Sequence, residues 1–270
     1  MQQQILFVLT VALYLATTAM VIWQFLGSQL DRRKHFVLIP GFLALAAHGL
    51  VLHTALFTPA GLNLSIVSSL SVAAWLVAAV VLLSALRAPT ENLGILVFPL
   101  AGVSIGLLFF FSDRITIVEN ASWQLQTHIL VSLVAYSLLT VAAIQALVLA
   151  FQESKLRGQN PGGILLALPP LQTMESLLFQ LLWSGFVLLS LALFSGLVFV
   201  HDLFAQHLVH KTVLSILAWL IFGTLLWGRR KFGWRGRTAI RWTLGGFTVL
   251  LLAYFGSKLV LEILLDRHWG

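Results

Sequence analysis

Eight apolar stretches, each long enough to cross a bilayer, take up most of this chain. They fall near residues 4–27, 36–57, 65–86, 93–111, 125–150, 178–200, 212–227 and 239–265. A hydrocarbon core takes about 20 residues of helix. Of all residues 59% are hydrophobic and 9% charged, where a soluble domain carries about 25% charged. Too few polar side chains remain to cover a water-soluble globule, so lipid must act as the solvent. Backbone groups in lipid must pair internally, and the period-two alternation of a barrel strand is absent. The sequence therefore predicts an all-α polytopic membrane protein: eight transmembrane helices in a single domain, residues 1–270. The first stretch has no positive residue before it and no A-x-A-like cleavage site, so it is expected to be a retained span rather than a signal peptide.

Charge sets the expected orientation. The connections after the first, third, fifth and seventh stretches, counted with the start of the eighth stretch, hold twelve Lys and Arg residues, six of them Arg229, Arg230, Lys231, Arg235, Arg237 and Arg241. The opposite connections and tail hold three, Arg114, Lys211 and Arg267. By the positive-inside rule both termini are expected on the periplasmic side of a bacterial inner membrane. The net charge of +7 thus reads as membrane topology, not as a nucleic-acid surface, because the cations sit in short loops between spans.

The connection Gln152–Leu177 is rich in Gly and Pro, which marks a loop. Its later part, LQTMESLLFQ, is expected to start a helix lying along the cytoplasmic surface before the chain enters the membrane. Small residues in the second and third spans, among them Ala44, Ala47, Ser68, Ser69 and Ser71, read as packing positions that let helix backbones approach.

Cysteine is absent, which excludes a disulfide framework and thiolate metal sites in this chain. No phosphate-binding loop, H-E-x-x-H pair or nucleophile elbow occurs, and no span is lined with carboxylates as a proton pump would be. The chain is not expected to be an enzyme. Its distinctive chemistry is histidine. Of eight histidines, His48 and His53 lie in the second span, His128 opens the fifth, and His201 closes the sixth. His207, His210 and His268 fall in the outer loop and tail, and His35 alone is cytoplasmic.

Seven of the eight histidines are thus expected at or beyond the outer half of the membrane. Neutral imidazole can sit beside apolar walls and still ligate a transition metal, and haem iron is commonly held by His. Histidines from two helix ends make a six-coordinate haem site, and His128 and His201 have matching depth. His48 and His53 lie about 140° apart around a helix and cannot both point at one atom. His48, deep in a span, is either a functional group or a neutral histidine bonding a neighbouring helix. Gln145 is polar within the fifth span, and Lys258 and Glu262 form an i, i+4 pair in the last.

The segment KTVLSILAWLIFGTLLWGRRKFGWRG (Lys211–Gly236) resembles the helix that follows the tryptophan-rich loop in the cytochrome c assembly family of membrane haem-handling proteins. Lys211 stands at the family's Lys and Trp219 at its helix Trp. GFTVLLLAYFG (Gly246–Gly256) resembles the family's next helix. HILVSLVAYSLLTVAA (His128–Ala143) resembles the helix opening with its outer haem-ligating His. PAGLNLS (Pro59–Ser65) echoes a further family loop. The resemblance implies haem binding and a role in maturing c-type cytochromes. It also implies haem as cofactor and, as partners, membrane lipid and an apocytochrome or another membrane protein. His128 matches the first outer His, and His268 lies nearest the second. One departure is large: Leu208, Val209 and His210 replace the Trp, Asp and Pro of the family's aromatic loop.

The reading that emerges is a haem-binding inner-membrane protein. His128 and His201 are its expected axial ligands, and His48 is a candidate for a deeper transit site. Its rivals are a transporter of another small solute or metal ion, and a non-haem accessory subunit.

Overall fold

The computed structural model describes residues 2–26, 34–58, 61–63, 65–111, 117–118, 122–157, 168–199 and 209–256. Among these residues the chain is almost entirely helical. In order it forms α1 (Gln2–Leu26), α2 (Lys34–Leu56), α3 (Ile66–Ala85), α4 (Gly94–Phe110) and α5 (Trp123–Arg157). Then follow α6 (Leu171–Phe199), α7 (Val209–Phe232) and α8 (Gly236–Leu251), the last continued by a π-helical turn to Gly256. Seven helices among the described residues, α1 to α7, are long and apolar enough to cross a membrane. The eighth expected span is helical from Gly236, and its outer part, with Lys258 and Glu262, lies outside the described residues.

The burial pattern is that of a protein dissolved in lipid. Large apolar side chains face outward: Val8 is 70% exposed, Ile5 61%, Phe36 66% and Phe110 77%. Polar side chains face inward instead, with Thr10, Thr17, His48, Ser71, Ser137, Gln145 and Thr243 all buried. Several hydroxyls donate to the carbonyl one turn back, as Thr10 does to Leu6, Thr17 to Leu13 and Ser137 to Leu133. They thereby satisfy themselves without water.

The fold divides into two compact units, Met1–Glu119 with Gln152–Leu171, and Asn120–Phe151 with Gln172–Gly270. In the first unit, α1 packs on α2 and α4, and α3 packs on the same two helices, giving a four-helix bundle. Gly41 brings α2 against Leu82 of α3, and Tyr14 of α1 stacks on Phe98 of α4 at 6.1 Å. Outside the spans sits an element not expected from the sequence. Three short antiparallel strands, β1 (Phe57–Thr58), β2 (Gly61–Asn63) and β3 (Ile117–Val118), pair in that order. Gly61, which opens β2, has a φ of 133° that favours glycine.

In the second unit, Gly185 of α6 admits Leu139 of α5, Trp219 of α7 donates to Ser190 of α6 (2.8 Å), and Gly246 of α8 lies against Phe222 of α7. Two expectations are corrected here. Among the described residues Leu171–Gln180 is not a separate surface helix: α6 runs unbroken from Leu171 to Phe199. Its buried residues Met174, Leu178, Leu182, Gly185, Leu189, Ala192 and Gly196 form one continuous face, so nothing divides the polar start from the apolar remainder. The seventh helix also extends beyond the apolar stretch 212–227 at both ends. It spans Val209–Phe232 because Arg229, Arg230 and Lys231 are good helix formers, and it ends only at Gly233 with φ 67°.

Candidate functional site

Among the described residues, each unit holds one histidine with hydrogen bonds to a neighbouring helix. In the first unit His48, fully buried on α2, is held from two sides. Its Nδ1 lies 3.1 Å from the Tyr14 hydroxyl of α1, and its Nε2 lies 3.0 Å from the Ser71 hydroxyl of α3. Tyr14 and Ser71 are both buried. A neutral imidazole offers one N–H and one lone pair, and each hydroxyl can donate or accept, so the chain of three is satisfied in either tautomer. One turn along α3, Trp75 donates to the carbonyl of Leu45 at 2.8 Å, its indole lying on Gly49. His48 therefore bonds its neighbouring helices through both nitrogens. To take a metal it must release one of the two hydroxyls.

In the second unit His128 sits on the second turn of α5, and its Nδ1 lies 2.9 Å from Ser195 Oγ on α6. Ser195 in turn donates its single hydroxyl hydrogen to the carbonyl of Ala192, at 2.9 Å. A hydroxyl that has spent its proton can only accept from the imidazole. With Ser195 so engaged, neutral His128 carries its hydrogen on Nδ1 and keeps a lone pair on Nε2, one of the two arrangements in which a neutral histidine can ligate a metal. The next residue of α6 is Gly196, and a Cβ there would stand 3.1 Å from His128 Cε1. Glycine lets the ring lie directly against the helix. Trp123, one turn before His128, lies 6.4 Å from Phe199 and gives this end of α5 and α6 an aromatic border.

Further along the same unit, Lys211 at the start of α7 places its Nζ 5.0 Å from the centre of the Tyr254 ring. Tyr254 packs on Tyr136 at 6.0 Å, and Tyr136 on Phe247 at the same spacing. Gln145, polar within α5, donates to the Met174 carbonyl at 2.9 Å and ties α5 to α6.

His201, the expected second ligand, lies outside the described residues, as do His207 and His268. His210 falls on the first turn of α7 rather than in a loop. The ring of His53 lies 5.2 Å from that of Phe57. Among the described residues no three His, Cys, Asp or Glu side chains gather as a metal cage. A haem iron asks for less, one or two axial nitrogens against an apolar wall. His128, with its Nε2 lone pair and glycine floor, fits that demand.

Four residues of these two settings were not singled out for chemistry by the sequence: Tyr14, Ser71, Ser195 and Gly196. Ser71 was visible as a small residue in a span. Its role depends on a partner 23 residues away, which no local pattern encodes.

Helices with apolar faces outward and polar side chains inward define a polytopic membrane protein. The chain belongs to the cytochrome c assembly protein family, whose pattern matches residues 36–265. It is similar to the inner membrane protein YpjD of Escherichia coli, 31% identical over 233 residues that cover 86% of this chain and 88% of the relative. It is also similar to an uncharacterised protein of Azospirillum brasilense, 35% identical over 140 residues, about half of each chain (51% and 52%). The cytochrome c biogenesis protein CcsA of Synechocystis is 26% identical over 99 residues, 36% of this chain and 30% of that one. No solved structure matches.

Proposed function

We propose that this protein binds haem near the outer face of the bacterial inner membrane, through His128, and handles it for c-type cytochrome biogenesis. The observation that supports this reading most directly is the Ala192–Ser195–His128 relay, which sets the imidazole tautomer and leaves Nε2 for iron. Membership of the cytochrome c assembly family and likeness to a CcsA cytochrome c biogenesis protein point the same way. His201 is the second axial ligand on this reading, and both termini face the periplasm.

Haem, when bound, supplies the iron and the cargo. The chain's own residues do the rest: Ser195 orients the His128 ring, Gly196 makes room for it, and the surrounding apolar helices exclude water. The protein holds and positions the group without making or breaking covalent bonds. His48 is a possible second station only if Tyr14 or Ser71 gives up its hydrogen bond.

The deciding experiment is the visible spectrum of the full chain purified from cells supplied with haem. A Soret band that falls away in His128→Ala is the expected result. A wild-type protein with no Soret band overturns the reading and leaves an accessory role through helix contacts.

A further inference from the structure

We propose that the α7–α8 hairpin is a binding site for the headgroup of an anionic phospholipid. Six cations cluster on it, and two are committed to holding its shape. Arg229 donates to the Trp234 carbonyl at 3.2 Å and lies 4.6 Å from the centre of the Phe179 ring. Arg235 meets Glu175 at 2.9 Å, while the other oxygen of Glu175 accepts the Gly236 N–H at 2.8 Å. Arg230, Lys231, Arg237 and Arg241 are exposed, Arg237 with an interaction of its own. No Asp or Glu occurs anywhere from Val209 to Gly256, so the sequence of this hairpin brings no carboxylate to offset them. Arg237 and Arg241, four residues apart on α8, share one face.

The same hairpin carries an aromatic ladder. Trp227, Phe232, Trp234 and Trp242 follow one another at 5.2, 6.2 and 5.4 Å. Trp227 and Phe232 are 59% and 60% exposed. The surface is built rather than loose. The Trp234 ring lies on Gly228, and the chain turns through Gly233 and Gly236 at φ 67° and 51°. The membrane-length apolar segment Lys211–Phe232 ends within the cluster. The cations and rings therefore emerge at headgroup depth, where aromatic rings settle and phosphates are the anions at hand. Arg in particular offers phosphate a forked pair of donors. Charge complementarity and depth together select a lipid phosphate over an acidic protein segment.

The test uses the full chain in nanodiscs of phosphatidylcholine, with and without phosphatidylglycerol, and native mass spectrometry of the lipid retained on release. Retention of phosphatidylglycerol over phosphatidylcholine is expected. It should weaken at least about tenfold in Arg237→Gln/Arg241→Gln and hold in Arg87→Gln, which removes an exposed cation elsewhere. Arg237→Lys/Arg241→Lys keeps the charge and should keep most of the binding, which separates loss of the site from loss of the fold. Four results overturn the proposal. They are equal retention of both lipids, an unchanged double Gln variant, thermal protection by inorganic phosphate alone matching that by lipid, and a stoichiometric acidic protein in place of lipid.

Discussion

The Nδ1 of His128 lies 2.9 Å from Ser195 Oγ, and Ser195 donates onward to the Ala192 carbonyl. With the Ser195 hydrogen given to Ala192, the proton of neutral His128 falls on Nδ1. Replacing Ser195 with Ala frees the ring to rotate and to exchange tautomers. Outer-shell partners of metal-ligating histidines typically contribute 10–100-fold to affinity. Ser195→Ala is therefore expected to weaken haem retention about tenfold, read by titrating haem into the apoprotein and following the Soret band. Retention equal to wild type would remove Ser195 from the site.

Gly196 supports the same ring. An added Cβ would stand 3.1 Å from His128 Cε1, closer than carbon atoms rest without displacement. Gly196→Val is expected to push the imidazole off α6 and reduce haem content more than Gly196→Ala does. Haem per protein, measured on both variants at matched expression, checks the order. An inverted order would show that the floor beneath the ring does not matter.

Tyr14→Phe tests the first unit. It removes the hydroxyl 3.1 Å from His48 Nδ1 and leaves the stacking on Phe98 in place. Hydrogen bonds between membrane helices average about 0.6 kcal/mol, with a maximum near 1.7. A loss of about 1 kcal/mol in stability is expected in a reversible unfolding assay in micelles. If His48 is a haem station as well, Tyr14→Phe should raise haem occupancy while lowering stability. A fall in both quantities would mark the residue as structural alone.

Glu175 holds Arg235 and the Gly236 N–H together. It is buried, whereas Arg235 is 55% exposed, so solvent screens part of the ion pair and less of the part-buried bond to the Gly236 N–H. Glu175→Ala is expected to cost about 2 kcal/mol, seen as a lower melting temperature and as earlier proteolytic cleavage near Gly233. Glu175→Gln, which keeps an acceptor for Gly236, should lose less. Equal losses would place the whole effect on the ion pair.

The sequence carried the spans well, because a run of some twenty apolar residues is a local property and seven such helices stand where they were expected. The resemblance of the helix that His128 opens also singled out this residue, which the structure sets against Ser195 and Gly196. The sequence did not carry the polar partners. Tyr14 and His48 are 34 residues apart, His128 and Ser195 67, and Glu175 and Arg235 60; such pairs exist only once helices are packed. Leu171–Gln180 was misread for the same reason. Its polar residues lowered local hydropathy, but Glu175 has a partner on a distant element and Met174 and Leu178 are buried, so α6 extends through them. The small sheet was missed because strands of two or three residues leave no periodic trace.

The unbroken course of α6 has a mechanical meaning. Glu175, near one end, grips the basic hairpin, and Ser195, near the other, grips His128. Twenty residues of straight helix set these two grips about 30 Å apart, one toward each face of the bilayer. A rod of that kind transmits a push along its axis with little give. Between the Arg235 contact and the His128 contact the chain therefore has no loop to absorb a displacement.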